Sequence, residues 1–204
     1  MISSYNEMLF YIKADAIMCG FYDIPWKKRI FHPNKRKKFL KTLRITEWLS
    51  NGKWTHKWMW LPYFFYSRKL EKLGYLCGYS IPLNTLGYGT NLAHHGSCVI
   101  NGANKIGNYC ALMNNVCIAD AYPKKIGNGI YFATNVVIAK KTDIADGVKL
   151  SANTFVNKSI NQENSLWGGV PAKYLKETQP WYYEEPWLSR YQEVENLRIK
   201  MNIK

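Results

Sequence analysis

The stretch KIGNYCALMNNVCIADAYPKKIGNGIYFATNVVIAKKTDIADGVKLSANTFV, residues 105–156, repeats an apolar residue at intervals of six. Ile106, Leu112, Ile118, Ile126, Phe132, Ile138, Ile144, Leu150 and Val156 mark the repeat, and Leu86, Leu92 and Ile100 extend it backwards. Nine of the eleven steps are six residues; Leu92 to Ile100 and Ile118 to Ile126 are eight, so each carries a two-residue insertion. A small residue follows most marks, as at Gly87, Ala93, Gly107, Ala133 and Ser151. A small or β-branched residue returns four positions on, as at Thr90, Cys110, Val116, Val136 and Thr154. Neither the 3.6 period of a helix nor a period of two gives this pattern, whereas a hexapeptide β-solenoid does. Each short strand turns one aliphatic side chain inward, a small residue makes the corner, and stacked coils form apolar ladders.

Outward from the repeat, the chain reads as one domain with a helical appendage. It has 204 residues, 47% of them hydrophobic, enough for a packed core and too apolar for a disordered chain. No apolar run is long enough to span a bilayer as a helix, and the N-terminus, with Glu7 ahead of its apolar run, does not read as a secretory signal. Five scattered cysteines without a C-x-x-C pair fit reduced thiols in a cytoplasmic protein. The net charge of +14 implies an anionic partner: nucleic acid, a membrane surface or a phosphate-rich ligand.

That charge is uneven. Residues 1–80 hold 15 of the 28 basic residues and five acidic ones. Helices are expected near 4–19, 35–50 and 55–76, broken by Gly20 and Pro25, by Asn51-Gly52, and by Gly74 and Gly78. The KRKK run at 35–38 reads as a solvated helix face or as a contact for membrane phosphates or an anionic glycan carrier. Basic and aromatic residues interleave here, but no nucleic-acid-binding signature accompanies them, so no nucleic acid partner is expected. The division is then 1–80 helical, 81–175 solenoid, and 176–204 a tail with Pro180 and Pro186 before a short helix.

Segment 81–175 resembles the left-handed β-helix acyltransferases, and within them the serine acetyltransferase-like O-acetyltransferases of capsule and exopolysaccharide gene clusters. AHHGSCVING at 93–102, KIGN at 105–108, KIGNG at 125–129 and GGVPAK at 168–173 carry the resemblance, with YIKADAIMCG at 11–20 similar to that subgroup's opening helix. The resemblance implies a mainly β fold, three hexapeptides per left-handed coil, a homotrimer with sites between subunits, and acetyl-CoA as donor with no metal. It also implies a general base at His94, in the first insertion; an imidazole titrates near neutral pH and can take the acceptor hydroxyl's proton as that oxygen attacks the thioester. The Gly96–Ser97 turn is expected to offer backbone N–H groups to the oxyanion.

By the same resemblance coenzyme A lies along a groove between β-helices, with Thr134 and Ala152 at corners near the pantetheine arm, Asn157 and Lys158 on the next strand, and Lys173 and Lys176 toward the phosphates. His95 either lines the site or faces solvent, and Trp167 either stacks on a ligand or caps the last coil. His32 and His56 read as structural or surface residues, and Cys110 and Cys117 as core fillers. The sequence departs from serine acetyltransferases twice: Ala93 stands where they carry Asp before the histidine, and Ala121-Tyr122-Pro123 replaces a loop with a second histidine. A backbone carbonyl, Asp15 or Asp120 is left to orient His94, and Tyr122 lies near the acceptor. These departures favour a sugar hydroxyl of a bacterial surface polysaccharide, or its precursor, as acceptor, at the cytoplasmic side or inner membrane face with peripheral membrane contact. The alternatives are a serine O-acetyltransferase, a sugar-nucleotide N-acetyltransferase, a membrane-associated scaffold, and a carbonic anhydrase on the same fold, disfavoured because only adjacent His94 and His95 occur in the solenoid.

Overall fold

Short parallel strands stack into three walls. The computed structural model describes residues 1–22, 34–119 and 122–203. The first wall holds β1 (Tyr79–Ser80), β3 (Cys98–Ile100), β6 (Val116–Ile118), β9 (Val137–Ile138) and β11 (Phe155–Val156). The second holds β2 (Asn91–Leu92), β5 (Ala111–Leu112), β8 (Tyr131–Phe132), β10 (Lys149–Leu150) and β12 (Ser165–Gly168), closed by the antiparallel β13 (Lys173–Glu177). The third joins β4 (Lys105–Ile106) and β7 (Lys125–Ile126) through single parallel pairings to Leu86, Ile144 and Ile160.

Repeat mark pairs with repeat mark in every wall: Leu92 with Leu112, Leu112 with Phe132, Phe132 with Leu150, Ile118 with Ile138. Those side chains are almost wholly buried, as the sixfold period requires, so the fold class is the left-handed β-helix that the sequence implied. The insertions leave this register untouched because they bulge at corners. The first lies between walls two and one, the second between walls one and three. Asn115, Asn135 and Asn153 turn the two-to-one corner in the left-handed conformation at φ 58°, 61° and 59°, which asparagine tolerates better than most residues. This asparagine recurs three positions after Leu112, Phe132 and Leu150.

Among the described residues three helices precede the solenoid: α1 (Tyr5–Met18), α2 (Lys35–Gly52) and α3 (Trp60–Cys77), the last preceded by a 3-10 turn at Lys57–Met59. A capping box of Ser4 and Glu7 starts α1. Arg44 of α2, wholly buried, ties helices to solenoid. All five of its N–H groups are used: two on Asp15 of α1, one on Glu47, and one each on the carbonyls of Leu86 and Gly87. Burial alone would lower the guanidinium's pKa, but Asp15 and Glu47 beside it hold it above its ordinary value. A last helix, α4 (Trp187–Lys200), returns to α1, where Phe10, Ile17 and Met18 pack with Tyr109, Trp181 and Val194.

Three readings of the sequence change. The KRKK run is not uniformly solvated, because Arg36 is half-buried and donates to the carbonyls of Leu92 and Ala93. Cys117 is half-exposed at the middle of β6, whose neighbours Val116 and Ile118 point inward; of these two cysteines Cys110 alone is a core filler. Burial pushes the Cys110 thiol up to about 12, which disqualifies it as a nucleophile. The solenoid also begins two residues before 81, since Tyr79–Ser80 already pairs with β3.

Candidate active site

The histidine loop, residues 93–97, leaves the end of β2 and bulges at the two-to-one corner. Its backbone is pinned from three sides. Arg36 holds the carbonyls of Leu92 and Ala93. The Tyr79 hydroxyl donates to the His94 carbonyl at 2.6 Å, and the Gly96 N–H donates to the Cys77 carbonyl at 2.8 Å. Gly96 has φ 137°, and Gly78 at the end of α3 approaches so closely that a Cβ there would meet the Gly96 carbonyl at 2.8 Å. Both positions need glycine. Gly96 has thereby spent its N–H on Cys77, so the expected pair of oxyanion donors shrinks to Ser97.

With the backbone pinned, the His94 imidazole is exposed and has no hydrogen-bond partner among the described residues of the single chain. It borders a cleft of about 480 Å³ lined by Asn91, Ala93, His94, Met113, Tyr131, Lys149, Trp181, Glu184 and Trp187. The floor is the outer face of the second wall, where Asn91, Tyr131 and Lys149 share one register column with Ala111. The far side is the chain's own tail. Trp181 is fixed there by its ring N–H on the Tyr109 carbonyl at 2.8 Å and by edge contacts with Tyr182 and Trp187. Lys149 lies 3.8 Å from Glu184, whose carboxylate is largely exposed. A pair so open to water is weak and free to exchange partners for a polar ligand.

Thr134 and Ala152 lie on the same corner as the histidine loop, one on each of two later coils. The Thr134 hydroxyl pairs with Asn114 at 2.9 Å, and Asn114 in turn abuts Gly96. Asn157 and Lys158 instead turn the one-to-three corner, away from His94 within one chain. Tyr122, exposed, lies in the second insertion at that same corner; the loop is held by buried Lys124, which donates to the carbonyls of Ala119 and Tyr122. Lys173 and Lys176 are exposed on β13. His95 is exposed, and so is His56. His32 and Asp120 lie outside the described residues.

Two site expectations are corrected. Asp15 is buried, with Oδ2 accepting from Arg44 and Oδ1 from both Arg44 and the Thr90 N–H, so it neither reaches an acceptor nor turns the imidazole. Trp167 packs against the core, its ring N–H bound to Ser165 at 2.9 Å and its ring edge on Tyr174, so it caps the last coil. Sequence reasoning missed Arg36, Lys149, Trp181, Glu184 and Trp187. The two tryptophans flanking Glu184 were a visible signal; Arg36 had none, since its partners are main-chain carbonyls. No cluster of three metal-ligating side chains occurs among the described residues.

No protein-family profile matches the sequence, and a search of curated proteins finds no match. Solved structures do. A serine acetyltransferase from Brucella abortus superposes with a TM-score of 0.66 at 18% identity, over 85% of this chain and 71% of its own. The Neisseria gonorrhoeae serine acetyltransferase gives 0.63 at 16% identity, over 86% and 69%. The Brucella abortus enzyme in complex with coenzyme A gives 0.62 at 17%, over 85% and 68%. What the chain shares with these proteins is their fold, helical region and hexapeptide solenoid together.

Proposed function

We propose that the chain is an acetyl-CoA-dependent O-acetyltransferase whose acceptor is a sugar hydroxyl of a bacterial surface polysaccharide or its precursor. The observation that carries this is the placement of His94 on a cleft lined by aromatic rings and a loose Lys149–Glu184 pair. Apolar rings take the C–H faces of a pyranose, and a few polar groups fix its hydroxyls. His94 accepts the proton of the attacking hydroxyl at an imidazole nitrogen, the Ser97 N–H faces the developing oxyanion, and its collapse breaks the C–S bond and releases coenzyme A as a thiol that takes the proton from His94. Small residues at Thr134 and Ala152, on the corner of the histidine loop, let an extended pantetheine arm lie close to the main chain, and Lys173 and Lys176 suit its phosphates. Structural similarity to a coenzyme A complex supports the donor. A homotrimer would bring Asn157, Lys158 and Tyr122 of one copy toward the His94 corner of the next. Dependence on acetyl-CoA would place the reaction in the cytoplasm.

Serine O-acetylation is the second reading, favoured by the fold of the similar structures and by the same ion pair, since Lys149 and Glu184 also match the carboxylate and ammonium of an amino acid. Incubation with acetyl-CoA and either candidate glycans or free L-serine, followed by mass spectrometry, separates the two. His94→Ala is expected to lower kcat by about 10²–10⁴ while leaving the melting temperature unchanged. Wild-type turnover in that variant would refute the assignment of His94, and transfer to serine alone would refute the sugar.

A further inference from the structure

The first turns of α3 contain no fully buried residue. Its buried residues, Leu73, Gly74 and Cys77, all lie at the C-terminal end that docks on the solenoid. Leu61 is 67% exposed, Phe64 50% and Phe65 61%, and Trp54 and Trp58, in the connection before the helix, are 76% and 63% exposed. Along α3, Leu61, Phe65, Arg68 and Lys72 follow at spacings of four, three and four, so apolar and basic residues share one helix face. The Arg68 guanidinium sits 4.7 Å from the Phe64 ring centre. Lys57, Lys69 and Lys72 are exposed around the face, with Glu71 the acidic residue of the helix.

We propose that this face of α3 binds the surface of an anionic phospholipid bilayer. Aromatic and aliphatic side chains enter the headgroup–acyl boundary while the neighbouring cations meet lipid phosphates. The cations distinguish this occupant from a second copy of the chain. A two-fold contact sets a patch against itself, and such a pairing would press Arg68, Lys69 and Lys72 against the same three residues. An anionic surface complements them. Docked there, the enzyme would meet its acceptor on the membrane face, but the inference stands on the helix face alone and not on the proposed reaction.

The test is sedimentation of the full chain with vesicles of phosphatidylcholine, alone or with one quarter phosphatidylglycerol, at low and high salt. The chain is expected to sediment with the anionic vesicles, to release in high salt, and to ignore the neutral ones. L61E/F65E and R68Q/K69Q/K72Q should each weaken binding by about tenfold or more. All five side chains are exposed, so the variants should keep the wild-type melting temperature and acetyl transfer. Absence of binding to anionic vesicles at low salt, or undiminished binding by both variants, overturns the proposal. A drop in native mass for L61E/F65E also overturns it, by assigning the face to contact between copies.

Discussion

Replacing Arg44 by Met removes the cation on which the junction of helices and solenoid is built. The side chain is wholly buried, and its loss strands two carboxylates, Asp15 and Glu47, both about 1% exposed. The carbonyls of Leu86 and Gly87 lose charged donors at the same time. Removing one partner of a buried ion pair costs about 3–5 kcal/mol, because the charge left behind is neither solvated nor paired. For a chain of this size that lowers the melting temperature by about 6–20 °C at fixed protein concentration. The deficit should depend on pH. Burial pushes the Asp15 carboxyl up from its usual range, while Arg44 and the Thr90 N–H pull the other way. Without Arg44 the upward push goes unopposed by any cation, so the folded protein binds a proton that the unfolded chain releases above about pH 4. A carboxyl raised in the folded state contributes stability below its unfolded pKa and loses it as pH rises through the folded value. The variant's deficit is therefore largest near neutrality and shrinks toward about pH 4. Thermal or urea unfolding at several pH values measures it, and Asp15→Asn in the same background should recover part of the loss. A deficit under about 1 kcal/mol at neutral pH, or one that grows on acidification, would refute the reasoning.

Ile118→Ala, at a fully buried rung, should cost about 2–5 kcal/mol in urea unfolding without moving KM. Trp187→Ala opens the far side of the cleft and is expected to raise KM for the acceptor more than that for acetyl-CoA, which steady-state kinetics with each substrate varied will show. Cys98 and Cys110, each buried and pushed up to about 12, should resist maleimide labelling in the native protein near pH 8 and react once it is unfolded; rapid native labelling of both would contradict their packing.

The solenoid was readable because its residues report their own surroundings. Leu112, Phe132 and Leu150 each face the same interior at the same height, so a one-dimensional count recovers a three-dimensional stack. The insertions were equally plain, and with them the corner that carries His94. Asp15 misled because a carboxylate in a helix reads alike whether it meets a ligand or an arginine 29 positions away. The cleft stayed hidden for a related reason. Trp181 reaches Tyr109 through a single main-chain carbonyl 72 positions distant, and no periodicity links them. Arg36 was misassigned because a run of four cations suggests one shared environment, while helix geometry sends one of them inward.

The return of the tail to α1 has a consequence for how the chain comes to life. Asn6 hydrogen-bonds the carbonyl of Met201 at 3.0 Å, and α1 and α4 share one apolar cluster, so the two helices close as a clasp. A ribosome exposes His94 well before Trp181, Glu184 and Trp187 exist. A chain that ends before Trp181 lacks the far side of the cleft that His94 borders. On the proposed reaction, the acceptor site is complete only when the clasp has shut.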